Sequence, residues 1–298
     1  MPDHFSDISP SPFIIVRPDT AAGPFVFSSP HSGRVYPDSF RRSSRLDELS
    51  LRRSEDSFVD ELFAAVPGVG APLISAIYPR AFVDLNREPY ELDPLLFNEP
   101  LPPYAKTDSE RVNAGLGTIA RVVATGVAIY DGPIPLAEAL DRIERVYKPY
   151  HAALEQLLAE TRQRHGWCAL IDCHSMPSPE AGGHRPCTPQ SDADVVLGDL
   201  HGASCDSVLI DTVEDCLRQL GYSVARNLPY AGGFCTRAYG RPLAGMHALQ
   251  IELNRALYME ESGFRRGPRF ESVARDMAKL AERLARLELP SAKPLAAE

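Results

Sequence analysis

Short apolar runs alternate along this chain with longer segments of helical period, and few architectures bury both. The runs Phe25 to Phe27, Pro72 to Ile77, Ala81 to Leu85, Cys168 to Cys173, Ala193 to Leu197 and Ala248 to Leu253 are bounded by proline, glycine or polar residues, as buried strands are. Between them, Leu140, Ile143, Tyr147, Tyr150, Leu154, Leu157 and Thr161 recur at helical steps over 137–165, a helix that Pro149 should kink. Phe270, Val273, Met277, Leu280, Leu284 and Leu287 repeat the pattern over 269–287, and a third helix over 206–220 stops at Gly221. This order predicts an α/β protein with a mixed, mostly parallel sheet flanked by helices on both faces. In such folds the side chains that do chemistry gather at the carboxyl ends of the strands.

Proline and glycine are spread as punctuation, and no repeat or linker divides the 298 residues. One domain over 21–289 is therefore expected, with tails at 1–20 and 290–298. A formal net charge of −9 argues against a nucleic-acid binder, which needs surplus lysine and arginine, and favours a small substrate. If that substrate is anionic, local arginines must capture it against the overall field. The six cysteines contain no CxxC pair and do not form a disulfide framework. No apolar run at the start is long enough for a signal peptide or a membrane span, so a cytoplasmic protein is expected.

Three strand ends carry unusual chemistry. His31 follows the first strand in a Pro-His-Ser-Gly turn, and His174 stands where the strand from Cys168 breaks at Pro177. Each histidine alone reads as a solvated or structural imidazole. Together at two strand ends they suggest ligands, because catalytic zinc takes three protein ligands and keeps one position open. An acid would complete the set. Glu55 and Asp56 are candidates, in the first turn of a helix capped by Ser54 and continuing through Val59, Leu62 and Phe63. There they would otherwise only complement the helix dipole.

The third end is the run around Glu252, where Gln250, Glu252 and Asn254 alternate with Leu249, Ile251 and Leu253. A glutamate in so apolar a strand is costly to bury unless it is paired, for instance with Arg255, or acts as a general base. Asn86 and Arg87 follow the Ala81 strand and could grip a carboxylate. Thr236, Arg237 and Arg241, beside Gly232 and Gly233, could form a substrate-covering loop.

Six motifs in one order, SPHSG at 29–33, Glu55-Asp56, DLNR at 84–87, DCHSMP at 172–177, GGFCTRAYGRP at 232–242 and QIELNRALYM at 250–259, resemble the N-formylglutamate amidohydrolase family over residues 24–285. That family is similar in fold to the zinc carboxypeptidases and aspartoacylases. The resemblance implies one zinc ion held by His31, His174 and an acid, Asn86 and Arg87 as the carboxylate-binding pair, and Glu252 as the base. The carboxypeptidase pattern has its acidic ligand three residues after the first histidine, where this chain has Arg34, so Asp56 takes that part. Thr236 and Arg237 complete the expected substrate contacts. The implied activity is hydrolysis of a small anionic N-acyl amino acid, N-formyl-L-glutamate first. A related acylase, a carboxypeptidase and a non-catalytic binder of carboxylate metabolites are the alternatives.

Overall fold

The computed structural model of the protein describes residues 11–21, 23–123, 126–179 and 193–289. Seven strands form its main sheet: β1 (Phe13–Val16), β2 (Phe25–Ser29), β3 (Leu73–Ala76), β4 (Cys168–Met176), β5 (Val195–Gly198), β6 (Val224–Arg226) and β7 (Met246–Asn254). Their order is β1-β3-β2-β4-β7-β5-β6. The central pairs β3/β2, β2/β4 and β4/β7 are parallel, as is β5/β6, whereas β1/β3 and β5/β7 are antiparallel. The expected mixed, mostly parallel sheet is the one observed.

Side-chain alternation divides the core into two layers. On β4, Cys168 and Leu170 face one apolar layer, which includes Tyr150, Leu154 and Leu157 of the helix Lys148–His165. Ala169, Ile171 and Cys173 face the other, packed by the helices Ser207–Gln219 and Phe270–Ala285. β7 divides likewise, with Ala248 in the first layer and Leu249, Ile251 and Leu253 in the second. Because the strand period is two, Asp172 and His174 continue the Leu170 face, and Gln250 and Glu252 continue the Ala248 face. One face of the central sheet thus turns from apolar to polar toward its carboxyl end.

Several expectations need correction. Ala81 to Leu85 is buried but is not a strand: Phe82 and Val83 both donate to the Pro79 carbonyl, at 2.9 and 3.3 Å, and the chain turns. That turn brings the next residues beneath the sheet. Residues 13–16, expected within a tail, add β1 to the sheet edge, and β6 carried too short an apolar run to stand out. Ser54 does not cap a helix through Glu55 and Asp56; the helix is Val59–Leu62, entered through Phe58 at φ 67°. The long helix bears Pro149 as expected, and a π-helical turn precedes it over Ile143–Tyr147, where Lys148 N donates to Ile143 O. Such a turn accommodates a proline that lacks the usual donor. The expected tail 290–298 lies outside the described residues. Among the described residues no helix is long and apolar enough to cross a membrane, and Cys168, Cys173, Cys205, Cys216 and Cys235 are free thiols.

Candidate metal and active site

His31 lies just past β2, in a turn fastened to the segment after Arg53 by a backbone bond from Asp56 N to His31 O, 3.0 Å long. That bond sets Asp56 beside the imidazole. His174 comes from β4, and the pairing of β4 with β7 places it directly opposite Glu252. The donor atoms of His31, Asp56 and His174 all lie within 4.8 Å of one another, and each residue is at most 2% exposed. Of the two candidate acids, Asp56 joins the histidines. Glu55 is taken up by Tyr36 Oη (2.6 Å), Ser57 Oγ (2.7 Å) and Arg52 Nε (3.1 Å).

The two imidazoles are held alike. His174 has Nδ1 at 3.0 Å from Asp56 Oδ2 and Nε2 at 2.9 Å from Asp172 Oδ2. His31 has Nε2 at 2.8 Å from Asp84 Oδ1, while its Nδ1 stands 3.4 Å from Asp56 Oδ2. That Nδ1 is buried and has no hydrogen-bond partner among the described residues. A carboxylate on Nε2 keeps the proton there and aims the Nδ1 lone pair inward, as outer carboxylates do for metal-bound histidine. Two inward Nδ1 atoms, one otherwise unsatisfied, and a shared carboxylate oxygen fit a divalent cation. Burial alone would raise the Asp56 carboxyl, but the hydrogen bond from His174 and the closeness of both imidazoles hold it well below the usual range. Arg255, tied to Asp56 Oδ1 and Ser175 Oγ at 3.1 Å each, adds a fixed positive charge behind it.

Glu252 makes no ion pair with Arg255, the alternative its sequence context left open. Its Oε1 accepts from Gln250 Nε2 at 2.8 Å. Burial first, then the nearby Asp56 charge, raises its pKa to about 7, with His174 and Arg80 pulling the other way. A carboxylate so placed exchanges protons near neutrality. Glu252, His31 and His174 line a cavity of about 1050 Å³ together with Asn86, Arg87 and Arg80.

The amide of Asn86 is oriented by Cys235 N, which donates to its Oδ1 at 2.8 Å, and its Nδ2 sits 3.3 Å from Asp172 Oδ2 and 3.2 Å from His174 Nε2. With His174 Nε2 carrying its proton toward Asp172, the Asn86 amide donates to that same carboxylate. Arg87 is 8% exposed, is held by the Leu116 and Asn86 carbonyls at 2.9 and 2.8 Å, and lines the cavity. Thr236 and Arg237, expected among the substrate contacts, do not line the cavity. They lie in the helix Phe234–Tyr239, where the Thr236 hydroxyl accepts from Gly233 N at 3.3 Å and exposed Arg237 pairs with Glu88 at 3.0 Å. Arg241 is likewise turned to the surface. The glycines themselves face the cavity: a Cβ on Gly233 would meet Asn86 Nδ2 at 2.3 Å.

Asp84 and Asp172, which hold the two histidines, stand at the start of their motifs with no other mark in the sequence. Their signal was position, two residues before Asn86 and two before His174. Arg80, bonded to Asp84 at 2.7 Å, had none.

The family model of N-formylglutamate amidohydrolase matches residues 23–259. An N-formylglutamate deformylase of Pseudomonas putida is 31% identical over 245 residues, 80% of this chain and 83% of that protein, and its Pseudomonas aeruginosa counterpart matches to the same extent. The crystal structure of an N-formylglutamate amidohydrolase from Ralstonia eutropha JMP134 is 39% identical, with a TM-score of 0.87 over 92% of this chain and 97% of that one. A protein of Agrobacterium tumefaciens, 18% identical with a TM-score of 0.64 over 92% of this chain and 94% of its own, shares the fold.

Proposed function

The chain belongs to the N-formylglutamate amidohydrolase family, and from that premise we propose that it is a zinc-dependent enzyme, one domain over 21–289, hydrolysing N-formyl-L-glutamate to formate and L-glutamate. The observation that carries this reading is the pairing of His174 with Glu252 across β4 and β7. It sets a near-neutral carboxyl beside three inward metal donors in an arginine-lined cavity.

Two imidazoles and one carboxylate form the donor set that suits zinc with an open position. A zinc ion held by His31, Asp56 and His174 would supply Lewis acidity toward the formyl carbonyl and the attacking water. Asp84 and Asp172 keep each Nε2 protonated, so both Nδ1 atoms face inward. Glu252 accepts the proton of the attacking water and returns it to the departing amine nitrogen, while Gln250 steadies its carboxylate. Arg87, beside Asn86, holds the carboxylate next to the reacting amide and fixes the formyl group in line with the water. The free thiols suit a cytoplasmic location.

The test measures formate release from N-formyl-L-glutamate by zinc-loaded and chelator-treated protein, beside N-acetyl and N-succinyl amino acids. Turnover lost on chelation and restored by zinc is expected. Preference for another acyl group would reassign the substrate, and no turnover of any compound would favour a non-catalytic binder.

A further inference from the structure

Among the described residues, five arginines line the cavity: Arg53, Arg80, Arg87, Arg111 and Arg255. Arg255 is engaged by Asp56, and Arg80 and Arg87 share Asp84. Arg53 makes no salt bridge among the described residues but lies in the field of Asp47, which lines the same cavity. Arg111 has no carboxylate within salt-bridge distance among the described residues, and its side chain is exposed at the cavity wall.

Its backbone is well anchored. Ser109 Oγ caps the short helix by accepting from Val112 N at 3.1 Å, and Val112 is 1% exposed. Leu116 N donates to Arg111 O at 2.8 Å, and Leu116 O accepts from Arg87 Nε at 2.9 Å. A Cβ on Gly117 would meet the Glu91 carbonyl at 2.3 Å, so this turn is pressed against its neighbour. One hydrogen-bonded turn therefore carries Arg111 and holds Arg87, and both guanidinium groups belong to the same wall. They also feel each other: burial above all, with Arg80 and Arg111 adding to it against Asp84, lowers the Arg87 pKa to about 10. Two cations so placed favour an anion with two charges.

We infer that Arg111 is the specificity-determining residue for the distal carboxylate of a dicarboxylic N-acyl amino acid, with Arg87 taking the α-carboxylate. The inference rests on the hydrolase reading above. Arg87 is the deeper and adjoins Asn86, which touches His174, so it serves the carboxylate nearest the scissile amide. The γ-carboxylate lies farther out along a flexible chain, where an exposed, uncommitted guanidinium can meet it.

The experiment compares kcat/KM for N-formyl-L-glutamate and N-formyl-L-glutamine, its γ-amide isostere, in the wild-type, R111A, R111K and R53A zinc-loaded proteins. A charge-assisted contact of this kind is worth about ten- to a hundredfold. The wild type should prefer the glutamate compound by that factor, R111A should lose the preference through KM, and R111K should recover part of it. R53A should leave the ratio in place. Equal losses on both compounds in R111A, or a preference that disappears in R53A instead, would overturn the assignment while the hydrolase reading stands. If the wild type cleaves neither compound, the hydrolase reading falls, and the Arg111 assignment with it.

Discussion

Asp84 is the residue on which the electrostatics of the site converge, and Asp84→Asn tests that directly. Its carboxylate accepts from His31 Nε2 at 2.8 Å, Arg80 Nη2 at 2.7 Å and Asn86 N at 2.9 Å, with Arg87 Nη2 at 3.5 Å. Burial would raise its pKa, but Arg80, Arg87 and His31 outweigh that and hold it well below the usual carboxylate range. Asparagine keeps the volume and removes the charge. The first consequence falls on His31, whose Nε2 proton is no longer fixed; losing such an outer carboxylate costs about 10- to 100-fold in metal affinity, roughly 1.4 to 2.7 kcal/mol. The second falls on the buried arginines. Leaving a buried charge without its partner costs about 3 to 5 kcal/mol, and the lower end applies because the Arg80 side chain remains 24% exposed to water. Zinc competition with a chromogenic chelator reads the first effect, and urea unfolding of the metal-free protein reads the second. The sign with pH follows from the depressed pKa: the stabilisation is full above the unfolded value near 3.9 and is lost as pH falls through the folded value. The D84N deficit should therefore be complete at neutral pH and shrink only in strong acid. Wild-type zinc affinity together with a wild-type urea midpoint would refute this account of Asp84.

Four further outcomes are expected. The wild type should bind about one zinc per chain, and the double variant His31→Ala, His174→Ala should bind none at the same concentration, by metal analysis after gel filtration; stoichiometric metal in the double variant would remove the assigned ligands. Glu252→Gln should keep its zinc yet lose at least about a hundredfold in kcat, and near-normal turnover would return Glu252 to a structural part. In the wild type, the acid limb of kcat/KM should lie between the ordinary glutamate value of 4.5 and the buried value of about 7, because the base must be ionised and a bound cation draws its pKa down from the metal-free figure. Gly233→Ala should push the Asn86 amide away from His174 and Asp172 and cost about 1 to 3 kcal/mol as an overpacked contact; an unchanged melting temperature and unchanged kcat/KM would show that the loop gives way without disturbing Asn86.

What the sequence reveals of this site depends on where each residue lies in the fold. His174 and Glu252 stand out because they break apolar strands, where an unpaired polar group is costly, and the period of two shows that Gln250 and Glu252 share a face. Their mutual alignment is not legible, since nothing in either strand states that residue 174 pairs with residue 252; that comes from the sheet order and register. Asp84 was hidden for a different reason. Ala81 to Leu85 has the composition of a strand, and a turn closed on the Pro79 carbonyl overrides it, so its one acid looked like the end of a strand rather than the partner of His31. Thr236 and Arg237 present the opposite case: polar side chains beside two glycines resemble a binding loop, whereas here the glycine backbone approaches Asn86 and the side chains belong to a helix. A residue that is expensive to bury announces itself when its neighbours in sequence are apolar. The groups that make its burial tolerable, Asp84 and Arg80 around His31 or Arg255 behind Asp56, sit on turns and strand ends, where charge is ordinary, and the chain brings them to the site only by folding.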